Sequence, residues 1–372
     1  METGDHQMDV LLSNTVLNDT HGIGRVVEEL ERKADFDMIP SGESDGVPKK
    51  GVIPGMKRMF DFRAWFKKNI SELPDIINFH FPTDKFRYYF VKDLLEDKHD
   101  VITVHTTTKG RRKYALKRTP MKYKAKKEIS QEFLISHFEA RIEKTCFDNC
   151  SNITCVSDKI KGELKDLYNI DNVTVIKNGI DYERIRDEKN RENGTPTLFY
   201  IGGLRAQKGI PYALEALEKL DQQYKFLIAG NGPLKKTLKD HIKKHGINAE
   251  MLGFVPESDL PELYSKTDIL VMPSLYEGLP MVALEGISCG IPIVGFKGAV
   301  LNEIVCDENQ PFVCDDLDVD SLSENISILL EDKNLRKEIG EKNQKRYENE
   351  FKAERMAYEY ETYFKELILE RL

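Results

Sequence analysis

Two glutamates separated by seven residues have the chemistry to hold hydroxyl groups. Glu277 follows the apolar run that ends at 272–274, and Glu285 falls in the second turn of a helix that Pro280 is expected to begin. Carboxylates close to a bound anion are costly unless they accept hydrogen bonds, which sugar hydroxyls can donate. The alternative is that neither residue binds a ligand: Glu277 would then be a surface acid near a helix start, and Glu285 a helix carboxylate with a partner in the protein. The residues alone leave both interpretations open.

The start of the same helix offers donors for an anion. Backbone N–H groups of a first helical turn have no intrahelical acceptor, and the helix dipole favours negative charge there. Pro280 has no N–H to donate. The remaining donors are the amides of Leu279, Met281 and Val282.

A second segment places two cations after a predicted strand. Gly202 and Gly203 follow the strand, and glycine lets the backbone approach a ligand closely. Arg205 and Lys208 then bring positive charge to the mouth of the next helix, which suits a phosphate. A tight turn with two solvated cations explains the same residues when the segment is taken alone.

Two glycine pairs stand at further turns of the chain. Gly230 and Gly232 lie between a strand and a helical pattern, and Gly22 and Gly24 precede the first helical pattern. Both pairs lack the third glycine of the dinucleotide fingerprint, which disfavours a hydride-transferring dehydrogenase. Each pair is equally well explained as a structural turn.

One histidine ends a strand of the N-terminal half. His105 closes the apolar run that begins at Val101, and His80 has a similar position in the preceding run. A lone histidine is more often structural than functional, so His105 is the first candidate and His80 the second.

The elements that must position these residues are short strands and helices in alternation. Runs rich in Val and Ile are typical of parallel strands covered on both faces, and this order predicts doubly wound α/β domains. We predict an N-terminal domain over 1–184, a second domain over 185–350 and a C-terminal helix over 351–372 that packs back on the first. Ligands of such sheets bind outside the carboxyl ends of the strands, where the turns above fall.

Composition excludes several classes of protein. The chain has 372 residues with 40% hydrophobic and 32% charged side chains, which is ordinary for a globular protein and excludes a long disordered chain. The net charge of −8 disfavours a nucleic-acid binder. No apolar stretch approaches a membrane span, and the first residues show no secretion signal, so we expect a cytoplasmic protein. The six cysteines are expected to be free thiols, and their spacing predicts no metal site.

One basic run stands apart from the acidic average. Residues 109–127 hold ten Lys and Arg and no acid, and 56–66 mixes basic with aromatic residues. The run is either a solvated loop or a contact for an anionic acceptor or for acidic lipids at the cytoplasmic membrane face.

Taken together, these segments resemble the family 4 retaining glycosyltransferases of the GT-B fold. The first and second glutamates match the family's Glu-x7-Glu motif, Asn178-Gly179-Ile180-Asp181 matches its Asn-Gly-Val-Asp segment, and 230–233 matches Gly-x-Gly-Pro. Gly22-Ile23-Gly24-Arg25 resembles the N-terminal glycine loop. The resemblance implies two Rossmann-like domains facing across a cleft.

The resemblance also implies roles for the candidate residues. Glu285 would bind the donor ribose, Glu277 the donor sugar hydroxyls, and Lys208 the diphosphate. His105 would lie near the sugar, and Phe254 near the nucleobase. The family often has Arg immediately after the first glycine of the diphosphate segment; here that position is glycine, so we expect Arg205 to substitute.

The implied reaction moves a sugar from a nucleotide-diphosphate donor, UDP or GDP, to a hydroxyl of a glycan or lipid-linked acceptor in glycan, glycolipid or polysaccharide biosynthesis. No cofactor or metal is expected, because side-chain cations and helix-start amides stabilise the leaving diphosphate. Same-face departure and a covalent enzyme intermediate both stay open. The alternatives are a nucleotide-sugar epimerase of GT-B fold and a non-catalytic nucleotide-sugar-binding relative.

Overall fold

The chain folds into two units, each built on a six-stranded sheet. The computed structural model describes residues 8–13, 22–34, 36–38, 54–116, 126–181 and 194–370. The first unit comprises 1–110, 131–179 and 353–372, and the second comprises 111–130 and 180–352. The predicted domain limits, 184 and 350, lie a few residues from the divisions at 179 and 352.

Strands and helices are numbered in the order in which they occur along the chain. The strands are β1 (Met8–Ser13), β2 (Phe36–Met38), β3 (Ile76–Phe81), β4 (His99–Val104), β5 (Asn152–Cys155), β6 (Thr174–Val175), β7 (Thr197–Ile201), β8 (Lys225–Ala229), β9 (Ala249–Gly253), β10 (Ile269–Met272), β11 (Ile293–Phe296) and β12 (Val313–Cys314). The α-helices are α1 (Gly22–Lys33), α2 (Pro54–Asn69), α3 (Lys85–Val91), α4 (Thr108–Gly110), α5 (Lys126–Asp148), α6 (Asp158–Glu163), α7 (Ile210–Leu217), α8 (Lys235–His245), α9 (Leu260–Ser265), α10 (Met281–Ser288), α11 (Val319–Glu331), α12 (Lys333–Glu350) and α13 (Ala353–Leu369).

The sheet of the first unit has the strand order β2-β1-β3-β4-β5-β6, with every neighbouring pair parallel. All six residues of β3 are buried, as expected for a parallel strand covered on both faces. The chain runs outward from β1 to β2 and then returns to β3 on the other side. The switch point of this sheet therefore lies between β1 and β3.

The second sheet has the order β12-β11-β10-β7-β8-β9 and is also parallel throughout. From β7 the chain adds β8 and β9 toward one edge of the sheet. It then returns to pair β10 with the other side of β7, and adds β11 and β12 toward the opposite edge. The switch point lies between β7 and β10, which pair with Leu198 opposite Ile269. The loops after these two strands hold the predicted cationic and glutamate segments. The predicted doubly wound α/β class is confirmed.

The C-terminal helix belongs to the first unit. Lys33 of α1 forms an ion pair with Glu354 of α13. Along α13, Tyr360 and Phe364 are buried, and the Tyr360 hydroxyl lies 3.5 Å from the Thr103 hydroxyl. In the described part of the chain, no helix is both long and apolar enough to span a bilayer.

Candidate functional site

An ion pair forms at the switch point of the second unit. Lys208 Nζ lies 2.5 Å from Glu277 Oε1, although 69 residues separate the two in sequence. Lys208 follows β7 and Glu277 follows β10, so the adjacency of these strands brings the two side chains together. Lys208 is 30% exposed and Glu277 15% exposed, so both remain accessible to a ligand. The structure therefore joins two of the residues that the sequence predicted.

Lys208 is held by a turn packed on the glutamate loop. It ends the 3₁₀ turn Ala206–Lys208, and Gly209 follows with φ +69°. The amide of Leu275, in the loop after β10, donates to the Gln207 carbonyl at 3.0 Å. The backbone therefore fixes the Lys208 turn against the loop that carries Glu277.

Glu277 is anchored through its own backbone. Its amide donates to the Gly298 carbonyl at 2.9 Å, and the Gly298 amide donates to Asp316 Oδ1 at 2.7 Å. A Cβ at Gly298 would lie 2.4 Å from the Leu275 carbonyl oxygen, so this close approach requires glycine.

Tyr200 lies beside the glycine turn. Its hydroxyl donates to the Gly203 carbonyl at 3.0 Å. Burial, and then the charge of Glu277, raise the pKa of Tyr200 well above its ordinary value, so the hydroxyl stays protonated. Gly203 itself faces open space, since a Cβ there would meet nothing nearer than the Arg205 side chain at 3.9 Å. Arg205 is exposed.

Glu285 has a different environment from Glu277. It is 1% exposed, and its Oε2 accepts a hydrogen bond from the Tyr264 hydroxyl. The ring of Tyr264 packs edge-on against Phe199 of β7, with ring centroids 5.5 Å apart. Glu285 is therefore fixed in the interior, in the second turn of α10, and its contact with a ribose stays a prediction.

The helix that follows Glu277 begins one residue later than the sequence predicted. Pro280 is the N-cap of α10, with φ −72° and ψ 125°, and the first helical residue is Met281. The Pro280 carbonyl accepts from the amides of Ala283 and Leu284. Leu279, Met281 and Val282 lie at this helix start, as predicted. Amides of a first helical turn have no intrahelical acceptor, so those of Met281 and Val282 can donate to an anion.

The predicted glycine pair after β8 serves the packing of two turns. A Cβ at Gly230, where φ is +132°, would lie 1.9 Å from the Gly202 carbonyl oxygen. A Cβ at Gly232 would lie 2.5 Å from the Leu204 carbonyl oxygen. The backbone that approaches these two glycines is the turn after β7, so each positions that turn.

Phe254, the predicted nucleobase contact, lies after β9, and its side chain is 61% exposed.

The basic run contributes an aromatic side chain to the second unit. Tyr114 stacks on Tyr276 with an interplanar angle of 7° and ring centroids 6.3 Å apart. Tyr276 immediately precedes Glu277 in sequence. The run was expected to belong to the N-terminal domain, but 111–130 groups with the second unit. Residues 117–125 of the run lie outside the described residues.

In the first unit, the two candidate histidines form a buried pair. His80 Nδ1 lies 3.0 Å from His105 Nε2, and both side chains are at most 5% exposed. Burial lowers the pKa of His80 to about 4, and burial together with His80 lowers the pKa of His105 well below its ordinary value. Both rings are neutral at pH 7, so one nitrogen donates and the other accepts. Within the described residues, His80 Nε2 has no hydrogen-bond partner.

This pair predicts a loss of stability in mild acid. The pKa of His80 is about 6.5 unfolded and about 4 folded, so the unfolded chain binds the proton first as pH falls. From pH 7.5 to pH 5 the free energy of unfolding should drop by about 2 kcal/mol through His80, with His105 adding in the same direction.

Urea unfolding at the two pH values checks this expectation. The His80→Gln and His80→Asn variants should each show a smaller drop than the native chain, whatever their absolute stability. An unchanged pH dependence in both variants would contradict the assignment.

The N-terminal glycines lie in the same unit. Gly22 is the first residue of α1, and Gly24 is buried in its first turn. The preceding residues, 14–21, lie outside the described part of the chain, so a ligand-binding role for these glycines stays a prediction.

Sequence reasoning missed three tyrosines that hold the candidate residues in place. They are Tyr114, Tyr200 and Tyr264. Tyr114 and Tyr264 contact residues distant in sequence, whereas Tyr200 bonds Gly203, three residues away. In the sequence, Tyr200 and Tyr264 resemble ordinary core residues, and Tyr114 is one residue of the basic run. The phenolic hydroxyls are the only signal, because a buried hydroxyl needs a partner.

Comparison with known proteins places the chain in a family. Residues 181–346 match the family model described as "Glycosyl transferases group 1", and residues 25–184 match that of "Glycosyltransferase Family 4". The two matches together run from near the N terminus to within α12.

Relatives agree with these matches. An uncharacterized glycosyltransferase of Methanocaldococcus jannaschii is 30% identical over 59% of this chain and 60% of its own length. The match thus spans less than two thirds of that relative.

Solved structures agree in fold. Sucrose-phosphate synthase from Thermosynechococcus elongatus superposes with a TM-score of 0.80 at 16% identity, covering 98% of this chain and 100% of that one. Anabaena HepE, solved in complex with UDP and glucose, gives 0.74 at 15% identity over 97% and 100%. With the adjacent family matches and this α/β fold, the chain belongs to the family 4 glycosyltransferases of the GT-B fold.

Proposed function

We propose that the protein transfers a hexose from a nucleotide-diphosphate sugar to an acceptor hydroxyl with retention of anomeric configuration. The observation that carries the proposal is the ion pair between Lys208 and Glu277 at the switch point of the second unit. The Lys208 ammonium can bind a diphosphate, and the adjacent Glu277 carboxylate can accept hydrogen bonds from sugar hydroxyls. A nucleotide sugar carries both groups, and ligands of such sheets bind at the switch point.

In the proposed reaction, this site must stabilise the negative charge of the departing diphosphate. Lys208, the exposed Arg205 and the helix-start amides of Met281 and Val282 are positive groups fixed before the reaction, and such preorganised charge lowers a barrier effectively. Because side chains and amides supply this charge, we propose a metal-independent reaction. Glu277 would orient the sugar, and Phe254 would face the base. We also propose that His105, whose ring is neutral, contacts the sugar.

The donor is proposed to be a UDP- or GDP-sugar and the acceptor a glycan or lipid-linked hydroxyl, in glycan, glycolipid or polysaccharide biosynthesis. A cytoplasmic location, with the basic run 109–127 touching an anionic membrane face, completes the proposal. Equal, negligible co-sedimentation with neutral and anionic vesicles would remove the membrane contact.

A thermal-shift screen against UDP-, GDP- and ADP-sugars tests donor binding. A ligand that binds only the folded chain stabilises it by about 3 kcal/mol at about 100 times its Kd, so we expect one class to raise Tm by several degrees. The free sugar serves as the control and should shift nothing. The proposal fails if no nucleotide sugar stabilises the protein.

The glycosyltransferase families matched by the chain favour transfer over epimerisation. An epimerase would convert the donor without an acceptor. A non-catalytic relative would bind the donor and tolerate loss of the Glu277 carboxylate. Product analysis with and without acceptor separates the three.

A further inference from the structure

A cluster on the second unit, unconnected with the proposed transfer, brings together three side chains that bind transition metals. Glu218 caps the end of α7, and His241 and His245 stand one helical turn apart on α8. The ligand atoms of all three lie within 4.8 Å of one another. We propose that this cluster is a binding site for a divalent transition metal of the Zn²⁺ class.

The carboxylate already bridges the two imidazoles. Glu218 Oε1 contacts His241 Nε2, and Oε2 lies 2.8 Å from His245 Nδ1. The two rings are nearly parallel, at 19°, with centroids 4.5 Å apart. A tetrahedral zinc has bonds of about 2.0–2.2 Å to such ligands, which sets them about 3.4 Å apart. Small side-chain rotations therefore bring three ligands to one ion, and water completes the tetrahedron.

The ligand chemistry selects the metal. Two imidazole nitrogens with one carboxylate oxygen suit Zn²⁺, Ni²⁺ or Cu²⁺, whereas Mg²⁺ and Ca²⁺ take oxygen ligands. The side chains of Glu218, His241 and His245 are 25–31% exposed, so the ion has access from solvent while the ligands are partly ordered by packing.

The position of the cluster assigns it a structural role. α7 begins directly after the Lys208 turn and α8 begins after the Gly232 turn, so both helices start at the candidate donor site. The cluster lies at the opposite ends of these helices, about 12–16 Å along their axes. A metal there joins the two helix ends and stabilises the second unit without touching the reacting groups.

Isothermal titration of the full chain with ZnCl₂ tests the proposal. We expect saturable binding of one Zn²⁺ per chain and a rise in Tm on adding Zn²⁺ that EDTA reverses. His245→Ala and Glu218→Gln should each abolish both effects, because each removes a ligand from a partly exposed position that tolerates substitution.

His137→Ala is the matched control. It removes an exposed imidazole from α5, in the first unit, and should leave Zn²⁺ binding and the Tm shift intact. The proposal is overturned if the native chain binds Zn²⁺ only in the millimolar range, or if both ligand variants retain native binding. Neither readout depends on a nucleotide sugar.

Discussion

Replacing Lys208 by Ala should lower kcat for sugar transfer by a factor of about 100–1,000, the usual cost of removing one preorganised group that stabilises developing negative charge. Lys208 Nζ lies 2.5 Å from Glu277 Oε1, and a backbone hydrogen bond from Leu275 to Gln207 fixes its turn against the glutamate loop. The leaving diphosphate gains charge in the transition state, so the loss should fall on kcat more than on KM.

The measurement is the rate of nucleoside-diphosphate release from the donor that the thermal screen identifies. Lys219→Ala is the matched control, because it breaks another lysine–carboxylate pair of the second unit, with Asp320, and changes the net charge equally. That pair is exposed, and its loss should leave kcat within a factor of about two. A Lys208→Ala variant as active as the control would contradict the assigned role.

Lys208 and Glu277 should also act as a unit. Glu277→Gln removes the carboxylate charge while keeping the shape, and the double variant Lys208→Ala/Glu277→Gln should lose less activity than the product of the single losses. If the losses multiply independently, the ion pair has no part in catalysis.

Much of the fold followed from local patterns, because buried parallel strands are short apolar runs with polar boundaries. The apolar runs Met8–Ser13, Thr197–Ile201 and Lys225–Ala229 predict strands, and β1, β7 and β8 have these same bounds. The helices Pro54–Asn69 and Lys85–Val91 were not predicted, since their apolar and charged residues do not separate into clear faces. The strand order was also beyond local patterns, because it depends on which runs pair in space.

The site was predictable as segments and not as contacts. Lys208 and Glu277 were each singled out by neighbouring glycines and helix starts, but only the β7–β10 pairing joins them. The bond from Tyr264 to Glu285 spans 21 residues and crosses from one helix to another. The pairing of His80 with His105 likewise needed the adjacency of β3 and β4. Each missing contact is a tertiary one, set by the sheet rather than by sequence spacing.

Gly209 supplies the sharpest test of how the fold supports the site. A Cβ at this position would lie 1.7 Å from the Pro273 carbonyl oxygen, which is a backbone atom and has no rotamer to escape to. The backbone φ of +69° adds a cost of about 1 kcal/mol for any residue with a Cβ. Gly209→Ala must therefore push the end of β10 away, and we expect it to lower the free energy of unfolding by about 3 kcal/mol or more.

Gly246→Ala separates the two causes. Gly246 has nearly the same φ, +66°, but a Cβ there meets nothing within 4 Å. Its substitution should cost only about 1 kcal/mol, the price of the left-handed backbone. Urea unfolding of both variants measures the difference, and equal destabilisation would show that the contact with Pro273 is easily relieved.

The displacement of the end of β10 in Gly209→Ala should also lower the rate of sugar transfer. Pro273 leads into Leu275, whose amide holds the Gln207 carbonyl, and then into Glu277. A shift of this strand end moves the carboxylate relative to Lys208, and a misplacement of about 1 Å can cost a factor of about 100 in rate. Gly209→Ala, assayed below its own Tm, should thus lose transfer activity, whereas Gly246→Ala, at the far end of α8, should retain it. Full activity in a folded Gly209→Ala variant would mean that the turn does not set the distance between the two charges.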